Sequence, residues 1–234
     1  MKVLFIGNSH TYFNDMPELY AKAAEATTGE KPEVVMLAYS GRELAWHREE
    51  YFSIRFALMY GGFDYCVFQQ AAHPYPPRET TLEMNAELSR MCMKNGVKPV
   101  IFITWAQKEH PENQAEMIEV CELSARETGA LLAPVGRIWE KINRTERDID
   151  LYHTDGAHAG PYGDFLIAAT ICLTTAGGVS DAFCGIGQRF LDDTCNMDAR
   201  FPTAIEDRAA VVCALDPDKC RRILKAVRED QAQI

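Results

Sequence analysis

Unbroken runs of apolar residues alternate along this chain with longer stretches whose apolar positions recur every three or four. Residues 3–6 (Val-Leu-Phe-Ile) are apolar on consecutive positions, which predicts a strand covered on both faces. Residues 33–37, 64–68, 100–104 and 131–135 repeat that character. Helical spacing fills the intervals at 17–27, 42–60, 79–94 and 114–128. The first three of these end at chain breakers: Gly29, Gly61-Gly62 and Asn95-Gly96. Strands alternating with helices of this length imply βαβ units and a parallel sheet. A further helix is predicted at 162–175 and a last amphipathic one at 217–231, with an irregular stretch at 177–203 between them. No repeat or linker interrupts the pattern. The expectation is one α/β domain over 1–234, a three-layer sandwich around a five-stranded parallel sheet, with an irregular and helical extension from about 177.

Composition narrows the partners. The length of 234 residues suits one sizeable domain with a full core. Its 47% hydrophobic and 25% charged residues are ordinary for a globular protein. A net charge of -10 argues against nucleic acid or an anionic membrane as the main partner. No apolar run approaches the length of a membrane span. The eight cysteines, at 66, 92, 121, 172, 184, 195, 213 and 220, form no CxxC pair. Reduced thiols are expected, although the later four lie in a less regular region where pairing is open. The first strand starts near residue 2, so no signal peptide is visible and a cytoplasmic location is expected. A leader removed beforehand would leave the same picture.

Candidate chemistry gathers at the strand ends. Ser9 follows the first strand through Gly7-Asn8, Ser40-Gly41 follows the second, and Gln69-Gln70 follows the third. In a doubly wound sheet these ends share one edge, the edge that binds ligands. The loop Asp155-Gly156-Ala157-His158 precedes the 162–175 helix and can reach the same edge. These are the parts of acyl transfer. A serine hydroxyl needs a neutral imidazole to take its proton. A carboxylate on the other ring nitrogen fixes the tautomer, and preorganised N–H donors hold the oxyanion. Each part also has a plainer use. Ser9 or Asn14 can cap the next helix, and Asp155 can cap its own loop beside a solvated His158.

Taken together, Gly7-Asn8-Ser9, Ser40-Gly41, the amide after strand three and Asp155-Gly-Ala-His158 resemble the SGNH (GDSL-type) hydrolases over roughly residues 2–176. The likeness is nearest to branches containing carbohydrate O-acetylesterases. It implies a flavodoxin-like arrangement, with Ser9 as nucleophile, His158 as base and Asp155 orienting the imidazole. The backbone N–H groups of Ser9 and Gly41 would then contribute to the oxyanion hole. The implied substrate is a small acyl ester, an acetyl group on a carbohydrate, with no cofactor. Two positions depart from the family pattern. Asn8 stands where the first block usually has aspartate, and Phe68-Gln69-Gln70-Ala71-Ala72-His73 replaces the usual Gly-x-Asn. The resemblance points to Gln69 as the third oxyanion donor, with Gln70 and His73 as alternatives.

Other residues have two readings each. Trp105, after strand four, can be a sugar-stacking platform or a core aromatic, and His153 a substrate contact or a loop residue. His10 can line the pocket or pair with the tail, while His47 and His110 are expected to be solvated. A zinc site from His153, Asp155 and His158 lacks a further ligand cluster to complete it. Asn143-Arg144-Thr145 is a glycosylation triplet of the kind that chance produces. The rival functions are a flavodoxin-like domain that binds a nucleotide, flavin or sugar without turnover, and a degenerate esterase that keeps only the pocket. A phosphate-cradling loop would need more than the single glycine found at 7–11.

Overall fold

Five apolar runs become five parallel strands: β1 (Lys2–Gly7), β2 (Glu33–Ala38), β3 (Tyr65–Phe68), β4 (Lys98–Phe102) and β5 (Leu131–Ala133). The computed structural model describes residues 1–186, 188–191, 210–213 and 215–231. Strand order is β2-β1-β3-β4-β5. This is the order of a flavodoxin-like sheet, whose connections reverse direction between β1 and β3. The expected class is the one found: an α/β fold with a five-stranded parallel sheet flanked by helices.

Contacts divide the chain into two compact units. The first comprises Met1–Thr11 and Pro32–Arg137, the second Tyr12–Lys31 and Ile138–Ile234. The chain changes unit inside two helices and in one short connection, so no linker composition marks the boundary.

The first unit holds the whole sheet and the helices α1 (Ser9–Tyr12, in part), α3 (Leu44–Glu49), α4 (Tyr51–Tyr60), α5 (Arg78–Lys94) and α6 (Gln114–Thr128). Leu4, Ile6, Cys66, Phe68 and Ile101 form one core with Leu44, Ile54, Leu58, Met84 and Leu88 from these helices. Val3, Phe5, Val67, Val100 and Phe102 point to the opposite face and are equally buried. Burial on both faces explains why the strands are apolar without alternation. Each such side chain contributes about 1.5–3 kcal/mol. The predicted 42–60 helix is two helices, broken at Glu50 (φ -78, ψ 37). No glycine or proline announces that break.

In the second unit α2 (Met16–Thr28) packs on α8 (Pro161–Ala176), where the Tyr20 hydroxyl meets Thr175 Oγ1 at 3.0 Å. Helix α7 (Val135–Thr145) starts where strand five was expected to end, and it went unpredicted. Gly136 allows the close approach there, since a Cβ would lie 2.0 Å from the Thr104 carbonyl oxygen. Within the stretch expected to be irregular, Asp181–Gly185 is a 3₁₀ turn and Gln188–Leu191 forms β6, antiparallel to β7 (Ala210–Cys213). Residues 187 and 192–203, with Cys195, lie outside the described residues. The last helix, α9 (Pro217–Gln231), has the predicted bounds. Cys66, Cys92, Cys121, Cys172, Cys184 and Cys220 are free thiols. Among the described residues no helix is long and apolar enough to cross a membrane.

Candidate active site

Ser9 opens the four-residue helix α1, directly beyond the carboxyl end of β1. It is half-buried, whereas Asn8 and His10 on either side are buried. The turn that presents it is held by Asn8. Asn8 Oδ1 accepts from the His10 N–H at 3.0 Å, its Nδ2 donates to the Arg42 carbonyl at 2.9 Å, and its own carbonyl accepts from the Thr11 N–H. Gly7 is required by packing: a Cβ there would stand 2.3 Å from Thr11 Oγ1. The Gly7 carbonyl accepts from the Tyr39 N–H at 3.0 Å and from His47 Nε2 at 2.8 Å.

Sheet register brings the next strand ends alongside. Gly7 pairs with Ala38, and the Gln69 N–H donates to the Ile6 carbonyl. Beyond β2, residues 39–42 form a turn closed by the Arg42 N–H on the Tyr39 carbonyl. Gly41 takes φ +66 in it, which only glycine adopts freely. Gly41 is exposed, and among the described residues none accepts from its N–H.

Gln69 is 1% exposed, and its carboxamide lies between two acceptors, Asn8 Oδ1 at 2.6 Å and the Gln70 carbonyl. Whichever way the amide is turned, its NH2 faces an oxygen inside the fold. Gln70, one residue on, turns to the other side. Its Oε1 accepts from the Leu44 and Ala71 N–H groups at 3.0 and 2.9 Å, which caps α3. His73 is half-buried, with its ring 5.1 Å from that of His10. Trp105 is 0% exposed and packs 5.0 Å from His10 and 6.4 Å from Phe102. It is a core aromatic rather than an exposed platform. His47, expected to be solvated, is buried on Gly7. Burial lowers its pKa below the ordinary 6.5, while the bond to the Gly7 carbonyl works the other way. His110 is exposed beside Glu112 at 3.2 Å, as expected.

In the second unit, residues 151–160 form a narrow hairpin. The His153 N–H donates to the His158 carbonyl, the Gly160 N–H donates to the Leu151 carbonyl, and Tyr152 pairs with Ala159. Within it Asp155 performs both tasks that the sequence left open. Its Oδ1 accepts from the Ala157 and His158 N–H groups at 2.9 Å each, and its Oδ2 accepts from His158 Nδ1 at 2.6 Å. Burial works against the Asp155 charge, but these three donors outweigh it and hold the carboxyl at about 2. A carboxylate at Nδ1 places the ring proton there, so Nε2 carries the lone pair.

Two residues that sequence reasoning overlooked fix this loop. Phe13 stacks on the His158 ring (centroids 4.5 Å apart, planes 14°) and meets His153 edge-on at 5.1 Å. Asn14 Nδ2 donates to the Ala159 carbonyl at 3.1 Å and to Asp164 Oδ2 at 2.5 Å. Asn14 and Asp15 hold φ +50 and +63, a conformation that Asn and Asp tolerate better than most residues. The Phe-Asn-Asp triplet ahead of Pro17 was the available signal. Asp164 is 1% exposed, and its burial raises its pKa well above the usual range against the pull of Asn14. His153 Nδ1 stands 3.7 Å from Asp155 Oδ1. Among the described residues no group of three or more His, Cys, Asp or Glu could hold a metal ion.

Neither a scan against protein-family models nor a search of curated proteins finds a match. Solved structures do match. A protein from Slackia heliotrinireducens, provisionally assigned as an SGNH hydrolase, is 29% identical, with a TM-score of 0.63 over 74% of this chain and 98% of its own. A catalytic mutant of Axe2, an acetylxylan esterase from Geobacillus stearothermophilus, is 13% identical, with a TM-score of 0.61 over 75% of this chain and 94% of its own. The psychrotrophic esterase EstA from Pseudoalteromonas sp. is 11% identical, with a TM-score of 0.57 over 75% of this chain and 97% of its own. Strand order, the serine turn beyond β1 and these likenesses agree, and the chain belongs to the SGNH (GDSL-type) hydrolase superfamily.

Proposed function

We propose that this protein is a serine esterase that cleaves a small acyl ester, an acetyl group on a carbohydrate, through an acyl-enzyme on Ser9. The observation that carries this reading is the 2.6 Å bond from His158 Nδ1 to Asp155, which leaves Nε2 as the proton acceptor. Ser9 Oγ attacks the acyl carbon while its proton passes to His158 Nε2. The resulting oxyanion is held by the Ser9 and Gly41 N–H groups, each such donor lowering the barrier by roughly 2.7–4 kcal/mol. The imidazolium then returns its proton to the departing alcohol. Water, deprotonated by the same nitrogen, attacks the acyl-enzyme and releases the carboxylic acid, restoring Ser9. Asp155 offsets the positive charge on the ring at each transfer. Gln69, with its carboxamide held between Asn8 and the Gln70 carbonyl, supports the turn that bears the nucleophile. The choice of an acetylated carbohydrate is supported by the resemblance of the motifs, and an acetylxylan esterase has a similar fold.

A fluorophosphonate probe is expected to label the protein on Ser9, and the protein is expected to hydrolyse p-nitrophenyl acetate. Ser9→Ala and His158→Ala should each lower kcat by about 10³-fold or more with the melting temperature preserved. A folded protein that is neither labelled nor active would overturn the esterase reading and leave a binding domain in its place.

A further inference from the structure

A cavity of about 580 Å³ opens in the first unit between two connections at the carboxyl edge of the sheet. One wall is the segment after β3, with His73, Tyr75 and Pro76. The other carries Gln107, Asn113 and Glu116 from the connection after β4 and the start of α6. His73 belongs to this wall and also packs on His10, the neighbour of Ser9.

Both walls are anchored. The buried Gln114 clamps the β4–α6 connection, its Oε1 accepting from the Ala106 N–H at 2.8 Å and its Nε2 donating to the Thr104 carbonyl at 3.1 Å. Arg78, at the start of α5, reaches Glu119 of α6 at 2.8 Å. The Tyr75 hydroxyl is turned inward, 4.0 Å from Cys121 Sγ, so the body of its ring is left to the cavity. By contrast, the side chains of Gln107 and Asn113 have no hydrogen-bond partner among the described residues, and Glu116 meets Arg78 only through charge attraction.

The chemistry of this lining is selective. Two amides and a carboxylate offer donors and acceptors together, which suits hydroxyl groups that are themselves both. An acyl chain in the cavity would desolvate all three without replacing their water. The tyrosine and proline rings supply an apolar wall for the C–H faces of a ring. No lysine or arginine lines the cavity, and its one acidic side chain, Glu116, repels a bound anion. We propose that this cavity is the subsite for the alcohol side of the ester, and that it takes a neutral polyhydroxylated ring and rejects an anionic one. The assignment to the alcohol side rests on Ser9 being the nucleophile.

Saturation-transfer NMR on the full-length Ser9→Ala protein reads the site without turnover. Methyl β-xylopyranoside should receive saturation, and glucuronate and butyrate should not. Glu116→Ala and Asn113→Ala, both on the surface, should each weaken the pyranoside about tenfold while the melting temperature holds. No transfer to the pyranoside, equal transfer to glucuronate, or undiminished binding in both variants would overturn the proposal. Failure of the esterase reading shows separately, as absent fluorophosphonate labelling of the unmodified protein.

Discussion

Asp155 gives one carboxylate oxygen to the backbone of its own loop and the other to the imidazole. A four-residue Asp-x-x-His pattern cannot reveal that division, because either use alone satisfies the spacing. Asp155→Asn separates the two. An asparagine Oδ1 still accepts from the Ala157 and His158 N–H groups, but its NH2 faces Nδ1 and drives the ring proton to Nε2. The expected result is a fall in kcat of roughly 10²–10⁴-fold with little change in stability, measured on p-nitrophenyl acetate beside a thermal melt. Activity retained within a few-fold would show that the carboxylate only caps the loop. The placement of Ser9 and Gly41 beyond strand ends, and of His158 ahead of a helix, was legible because each position is set by a neighbouring element. Trp105 was not, since a residue just after a strand can turn either into the core or out of it.

Among the elements, β1 and the segments beyond it are tied together by a buried histidine rather than by apolar packing alone. His47 on α3 donates Nε2–H to the Gly7 carbonyl, where β1 ends. Burial keeps its ring from protonating, so just below pH 6.5 the folded chain binds fewer protons here than the unfolded chain. Stability from this residue is therefore present above that pH and is lost as the pH falls. Urea midpoints should show it: between pH 7 and pH 5 the unmodified protein loses ground to His47→Gln, whose amide keeps the bond without titrating. Parallel curves would remove His47 from the acid response. Helical spacing placed His47 on a helix but not on its buried side, because α3 is short and its partner is a backbone carbonyl far away in sequence. The same limit hid α7, whose start at Val135 continues an apolar run that reads as strand.

For the whole molecule, the alternation of runs and spacings was enough to specify the parallel sheet, because both faces of β1, β3 and β4 are covered and their sequences say so. It could not reveal two compact units, since the chain passes between them without a change in composition. The acidic balance has a consequence at this scale. A net charge of -10 at neutral pH keeps copies apart by repulsion, and that repulsion vanishes near pH 5.1. Turbidity scanned from pH 4 to 8 should peak near that value; a flat profile would mean that charge does not govern solubility here. The contact between Gln69 and Asn8 bears on the lineage of the whole chain. Asn8 and Gln69, both at positions where the sequence departs from the family pattern, meet across 2.6 Å, so a change at either alters the surroundings of the other. An aspartate at position 8 could not donate to the Arg42 carbonyl as Asn8 does. In the evolutionary record, Asn8 and Gln69 are therefore expected to be inherited as a pair.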